Sequence, residues 1–329
     1  MRPCLYLIIP CYNEEEVLPQ TLALLNQALD TLIQEQLISP LSQLVYVDDG
    51  SNDQTWSLLE QAHTQYPRLN AIRLSQNRGH QIALWAGYEF SHEKATLTIT
   101  LDADLQDDVS VLKEFVQAYL EGADIVYGVR NDRTTDTWFK RTTAQGYYTF
   151  MSKMGVDLVY NHADYRLLSQ RALSALLHHQ ERNLFIRGLV PRLGFESRTV
   201  YYKRGVREAG ISKYPIQRMI QFALEGITSF SVVPLRYITK LGILISLVSF
   251  SYLLYILYRH LAAQTVSGWS SIISSIWLLG GLQLFALGVI GEYIGNIYQE
   301  AKHRPRYFKD RVLTAQIYQE EGSIHEDCD

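Results

Sequence analysis

The sequence predicts an α/β fold: a doubly wound, mostly parallel sheet, followed by an amphipathic helix and two transmembrane helices. Three observations predict it. Short apolar runs alternate with helical stretches through residues 5–128, the pattern of a parallel sheet covered on both faces. Polar and acidic clusters stand directly after those runs, at the strand ends where such sheets bind ligands. Two uncharged stretches, 241–258 and 261–291, are each long enough to cross a hydrocarbon core.

Residues 5–9 form the first strand, and Pro10-Cys11-Tyr12-Asn13-Glu14 is the loop after it. An amphipathic helix follows over 15–36. The second strand, 44–47, ends in Asp48-Asp49-Gly50-Ser51, and a helix covers 54–66. The third strand, 70–74, runs into Gln76-Asn77-Arg78-Gly79-His80 and a helix over 81–90. A strand over 95–101, a helix over 109–120 and a strand over 123–128 complete the regular part. With 329 residues, 47% of them apolar, the chain has room for two modules and a sizeable core. A net charge of -4 argues against a nucleic-acid surface. Cys4, Cys11 and Cys328 make no framework, so reduced thiols are expected. No secretory signal is expected, because the first apolar run is short and stops at Pro10.

The chemistry centres on Asp102-Ala103-Asp104-Leu105-Gln106-Asp107-Asp108. Carboxylates spaced i, i+2 at a strand end point the same way and repel. A divalent cation relieves that conflict, and Mg²⁺ takes one or two carboxylates plus substrate phosphates. The alternative is an acidic turn that caps the next helix. Asp49 could accept hydrogen bonds from a base or ribose, with Gly50 permitting the turn; Ser51 or Asp53 could instead cap a helix. Asn13 and Glu14 stand between capping and ligand roles. Arg78 and His80 could face a phosphate or simply start a solvated helix.

Pro10-Cys11-Tyr12-Asn13-Glu14, Val47-Asp48-Asp49-Gly50-Ser51, Asn77-Arg78-Gly79 and Asp102-Ala103-Asp104-Leu105-Gln106-Asp107 occur in that order at strand ends. Together they resemble the family 2 glycosyltransferases of the GT-A fold, in the branch of the dolichyl-phosphate mannose synthases and bactoprenol glucosyltransferases. The resemblance implies that Pro10, Tyr12, Asn13, Glu14, Asp49, Arg78, Asp102, Ala103, Asp104 and Gln106 bind a nucleotide diphosphate sugar. It implies that Asp49 meets the nucleoside, and that Asp102 and Asp104 hold Mg²⁺ or Mn²⁺ with the diphosphate. Asp164-Tyr165-Arg166-Leu167 is similar to the segment that lies by the acceptor phosphate in this branch, with Tyr in place of Phe. Arg166 could grip phosphate oxygens bidentately, or pair with Asp164 to tie a loop down. Asp157 and Asp164 are both candidates for the catalytic carboxylate, and His162 reads as loop. Gly210-Ile211-Ser212-Lys213-Tyr214 resembles a loop thought to close over the donor. Within this basic stretch Arg207 and Lys213, with Arg166, are candidates for the acceptor phosphate.

Ile216, Met219, Ile220, Ala223, Leu224, Ile227 and Phe230 follow a helical period, as in a helix lying in a membrane interface. Lys240 and Arg259 bracket the first uncharged run. Tyr252, Tyr255, Trp269, Trp277 and Tyr293 are placed like interfacial aromatics. Arg236, Lys240, Lys302, Arg304 and Arg306 lie at the outer ends of the pair, which puts both termini in the cytoplasm. The expected divisions are a transferase domain over 1–213, an amphipathic helix over 214–235, a transmembrane hairpin over 236–298 and a cytoplasmic tail over 299–329.

The expected activity is inverting transfer of a hexose, first glucose from UDP-glucose, to a polyprenyl phosphate at the cytoplasmic face. The partners are the donor, the lipid phosphate and the bilayer; self-association is left open. One rival is a processive polysaccharide synthase, but no tryptophan follows an arginine as that family's signature requires. Another is a non-catalytic scaffold, against which the intact Asp102/Asp104 pair argues.

Overall fold

The computed structural model describes residues 2–104, 106–130, 162–179, 181, 184–203, 233–261 and 269–316. These fall into two compact units. The first is built on an eight-stranded sheet. In chain order it holds β1 (Leu5–Cys11), α1 (Leu18–Gln34), β2 (Gln43–Asp48), α2 (Thr55–Gln65), β3 (Leu69–Leu74), α3 (His80–Ser91) and β4 (Leu97–Thr100). A short 3₁₀ turn, Val109–Val111, then leads into α4 (Leu112–Leu120) and β5 (Ile125–Arg130). Further along the chain come β6 (His162–Ser169), α5 (Gln170–Leu177), α6 (Ile186–Arg192) and β7 (Ser197–Tyr202). The last strand of the sheet is β8 (Lys309–Leu313).

The strand order is β7-β5-β6-β4-β1-β2-β3-β8. β1 pairs in parallel with β2 and with β4, and β2 in parallel with β3. That gives the predicted parallel centre, and its strand ends point one way. β1 and β2 are buried along their whole length, as expected for strands covered on both faces. Leu18, Leu22, Leu25 and Leu29 of α1 pack on one face. On α3, a Cβ added at Gly87 would strike the Ile8 side chain of β1. Only glycine lets α3 lie this close to the sheet, and that fixes where its first residue, His80, stands.

Two strands depart from the sequence reading. The stretch read as loop around His162 is β6, inserted antiparallel between β4 and β5. Thr100 at the end of β4 sits opposite Arg166, and its Oγ1 donates to the Asp164 carbonyl. Residues 309–313, within the expected tail, form β8, which pairs antiparallel with β3 from Ala71↔Leu313 to Leu74↔Lys309. The segment before β8 is also anchored: Arg306 Nη2 donates to the carbonyls of His179 and Glu181, at 2.9 and 2.7 Å. Residues 317–329 lie outside the described residues.

The second unit contains α7 (Val233–Leu261) and α8 (Trp269–Ala301), of 29 and 33 residues. Among the described residues no helix is long and apolar enough to cross a membrane. Several side chains of both helices, those of Tyr252, Trp269 and Trp277 among them, lie outside the described set. So does most of the expected amphipathic helix.

Candidate active site

The carboxyl ends of β1, β2, β3 and β4, joined by β6, carry the polar groups. Asp49 follows β2. Its Oδ1 accepts from the Arg78 backbone N–H at 2.7 Å and its Oδ2 from that of Gly79 at 2.8 Å. Asp49 thus ties the loop after β3 to the end of β2. Burial raises its carboxyl above the usual range, and the two backbone N–H groups pull it back. Gly50 has φ +69, and a Cβ there would lie 2.7 Å from the Gln76 carbonyl carbon. The two loops touch backbone to backbone at that point. A cleft of about 440 Å³ opens between them, lined by Ser51, Asn52, Arg73, Ser75, Gln76, Asn77 and, from β8, Asp310.

The loop after β1 is locked to the loop after β2. Asn13 adopts a left-handed backbone, φ 54, a conformation Asn tolerates. Its N–H donates to Ser51 Oγ at 2.9 Å, and its Oδ1 accepts from Asn52 N–H at 2.9 Å. The Glu14 N–H donates to Thr55 Oγ1 at 3.0 Å. The Asn13 side chain and the hydroxyls of Ser51 and Thr55 therefore tie loop to loop. Pro10 is buried within β1, whereas Tyr12 and Arg78 are exposed.

After β4 the chain turns through Asp102-Ala103-Asp104. Ala103 is buried, and its carbonyl accepts from Thr21 Oγ1 of α1 at 2.9 Å. That bond anchors the turn between the two half-exposed carboxylates. Gln106 is buried, and its N–H donates to Asp104 Oδ1 at 3.2 Å. Burial drives the Asp102 carboxyl up to about 6; His80 opposes this, and Asp107, Asp164 and Asp104 add to it. Two carboxylates with surplus negative charge around them are a donor set for a divalent cation that takes its remaining ligands from phosphate and water. Among the described residues there is no group of three or more His, Cys, Asp or Glu that could hold a metal. The pair therefore fits a metal shared with a substrate better than a cage of protein ligands.

β6 supplies the other half of the site. Asp164 is the hub of an ion network. It pairs with Arg166, with Arg187 of α6 at 2.7 Å and with His80 Nε2 at 3.2 Å. His80 also stands 3.7 Å from Asp102 Oδ1, so one imidazole links the two carboxylate centres. Burial alone would raise Asp164, but Arg187, the His80 hydrogen bond and Arg166 hold it well below the usual carboxylate range. Burial would lower His80; the hydrogen bond to Asp164 and the charges of Asp102 and Asp164 raise it.

Arg166 is not a surface grip. Its side chain is 0% exposed, and its Nε and Nη1 are buried with no hydrogen-bond partner among the described residues. The acceptor-phosphate role read from the sequence is therefore corrected: strand pairing turns Arg166 into the sheet, where it holds Asp164. Asp164 itself is committed to Arg166, Arg187 and His80. Asp157, Arg207 and Lys213 lie outside the described residues.

The sequence reading gave His80 no firm role and missed Arg187 altogether. It also missed a second buried cluster, in which Asp107 Oδ1 accepts from Tyr202 OH of β7 and from Arg130 Nη2. His80 had one signal, its place after Asn77-Arg78-Gly79 at a helix start. Arg187 had none, because its partner lies 23 residues away on another element.

Residues 6–177 match Glycosyl transferase family 2, and residues 233–297 match the GtrB C-terminal hairpin. The Uncharacterized glycosyltransferase YkoT of Bacillus subtilis is 48% identical over 94% of this chain and 92% of its own length. The Bactoprenol glucosyl transferase of Shigella phage SfV is 36% identical over 92% of this chain and 96% of its own. A prophage bactoprenol glucosyl transferase homolog of Escherichia coli is 35% identical over 93% and 98%. With strand-end motifs that converge on one edge and a family match across more than half its length, the chain belongs to glycosyl transferase family 2 and is a glycosyltransferase of the branch that carries this hairpin.

Proposed function

We propose that the protein transfers a hexose, glucose as the first candidate, from a nucleotide diphosphate sugar such as UDP-glucose to a polyprenyl phosphate. The observation that carries this reading is the near-full-length similarity to proteins named bactoprenol glucosyl transferase, joined to the Asp102/Asp104 pair at the strand ends.

The acceptor's nucleophile is a phosphate oxygen, already ionised at neutral pH. It attacks the anomeric carbon from the face opposite the leaving group, the bond to the nucleoside diphosphate breaks, and configuration inverts. No strong general base is required, so positioning and charge stabilisation dominate. Asp102 and Asp104 would hold Mg²⁺ or Mn²⁺, which when bound supplies neutralisation of the leaving diphosphate. Thr21 and the buried Ala103 fix the spacing of the pair. Asn13, Ser51, Asp49 and Gly50 fix three loops against each other, so the donor meets a preformed edge.

The two long helices are proposed to anchor the enzyme in the bilayer, with the catalytic unit and both termini cytoplasmic. At 1.5 Å per residue they span about 44 and 50 Å, more than the roughly 30 Å hydrocarbon core. Leu244, Leu247, Val248, Ile276, Leu284, Phe285 and Ile297 are exposed apolar side chains on them, and an uncharged run makes up more than half of each. The test is transfer by the full chain in detergent from a panel of radiolabelled sugar nucleotides to undecaprenyl phosphate, with mass spectrometry of the lipid. A lipid one hexose heavier is expected. A growing polymer, or no lipid product from any donor, would overturn the reading.

A further inference from the structure

The arginine that the sequence offers to the acceptor is buried, but a second guanidinium stands on the same carboxylate and reaches the surface. Arg187 donates from Nε to Asp164 Oδ1 at 3.1 Å and from Nη2 to Oδ2 at 2.7 Å. The grip is bidentate, which fixes a guanidinium in plane as well as in place. Its side chain is nonetheless 46% exposed. The helix that carries it is fixed too. The Ile186 N–H donates to Gln81 Oε1 of α3 at 2.8 Å, one residue from His80, and Ile186, Leu189 and Val190 are buried. Arg187 is therefore held at its base by packing and near its tip by Asp164.

The charges around it are unbalanced. Among the described residues Arg166 and Arg187 both pair with the carboxylate of Asp164, and His80 Nε2 stands 3.2 Å from it. This half of the site has a surplus of positive charge. Across His80 lies the half with the opposite surplus, Asp102 and Asp104. A transfer from a metal-bound diphosphate to an anionic acceptor needs both halves. The acidic one receives the cation of the donor, and the basic one receives the incoming anion without letting it displace the diphosphate.

We infer that Arg187 binds the anionic oxygens of the acceptor's phosphate and that Asp164, backed by Arg166, positions it. Arg187 stays cationic throughout, and no proton moves through it. The inference rests on the lipid-phosphate reading given above and assigns its acceptor site. Arg187 is a catalytic residue in this scheme; Asp164 and Arg166 are positioning residues.

The test compares Arg187→Gln and Arg187→Lys in the full-length chain in detergent. Three quantities are read: the KM for undecaprenyl phosphate, kcat, and the Kd for UDP with Mn²⁺ in the absence of acceptor. Arg187→Gln should raise the lipid KM at least tenfold and leave the UDP Kd within twofold. Arg187→Lys, which keeps the charge and loses the fork, should fall between Gln and wild type. A purely structural tie would lower the melting temperature and kcat in both variants and leave the lipid KM in place, which would overturn the inference. So would a UDP Kd that rises together with the KM, since Arg187 would then serve the donor's diphosphate. If wild type transfers sugar to no polyprenyl phosphate, the reading of the reaction fails and the inference with it. Wild-type transfer with an unmoved lipid KM in the variants overturns the inference alone.

Discussion

Asp164→Asn tests the hub of the site. The substitution removes one negative charge and leaves the Arg166 guanidinium buried with no other neutralising partner among the described residues. Removing one partner of a buried ion pair costs about 3–5 kcal/mol, a large share of the roughly 5–15 kcal/mol that holds a domain folded. For a unit of this size about 1 kcal/mol shifts the melting temperature by roughly 2–4 °C, so a drop of roughly 6–20 °C is expected. Intrinsic fluorescence follows it in the full chain, since Trp56 and Trp85 are buried in this unit. A second variant separates charge from shape. Arg166→Met with Asp164→Leu removes both charges and should melt well above Asp164→Asn, because paired apolar replacement of a buried salt bridge is often neutral. The pH dependence has a fixed sign. Asp164 is held below its ordinary value, so its contribution is present above the unfolded value of about 3.9 and is lost as pH falls further. The gap between wild type and Asp164→Asn should therefore narrow in acid. A variant within 2 °C of wild type at pH 7, or a gap that widens toward pH 3 (both thresholds roughly set by the per-kcal shift above), would refute the reasoning.

Gly50→Ala places a side chain in a left-handed backbone, which costs roughly 1–2 kcal/mol, and drives its Cβ into the Gln76–Asn77 backbone. The loop that feeds Asp49 must move, so UDP affinity by calorimetry should fall at least tenfold; unchanged affinity would contradict the loop-to-loop account. Asp104→Asn should abolish Mn²⁺-dependent UDP binding and transfer of radiolabelled sugar, and wild-type turnover in that variant would remove the metal role. Tyr202→Phe takes a donor from the buried Asp107, whose Oδ2 already lacks one among the described residues. It should cost about 1–3 kcal/mol in a melt, whereas a neutral result would mean that water replaces the hydroxyl.

The front half of the fold was legible because its signals are local. Leu5–Ile9 and Leu44–Val47 are apolar runs closed by turn residues, and their burial follows from helices on both faces. β6 was illegible because Asp164 and Arg166 look like solvent-facing residues. Their burial depends on each other and on Thr100 of β4, a pairing no local pattern reveals. β8 reads Lys-Asp-Arg-Val-Leu, the composition of a tail, and is mostly exposed. It is a strand because β3 offers it an edge. At the site, Asp49 and the Asp102/Asp104 pair could be found from strand-end position alone. Which arginine reaches the surface depends on the direction in which β6 presents its side chains and on where α6 ends up, and neither is encoded within a short window.

The place of β8 has a consequence for how the protein is made. β3 is complete by Leu74, yet the strand that covers its edge begins at Lys309. At about 5–20 residues per second, the ribosome needs on the order of ten to fifty seconds to supply it. During that interval the nascent sheet carries an open strand edge, the kind of surface that recruits other chains. Both long helices must be synthesised and settled before the edge closes. Ser75 N–H to Phe308 carbonyl and Ala315 N–H to Asn70 Oδ1, both 2.9 Å, then fasten the returning segment. Sheet closure thereby becomes a late event in biogenesis, one that waits on nearly the whole length of the chain.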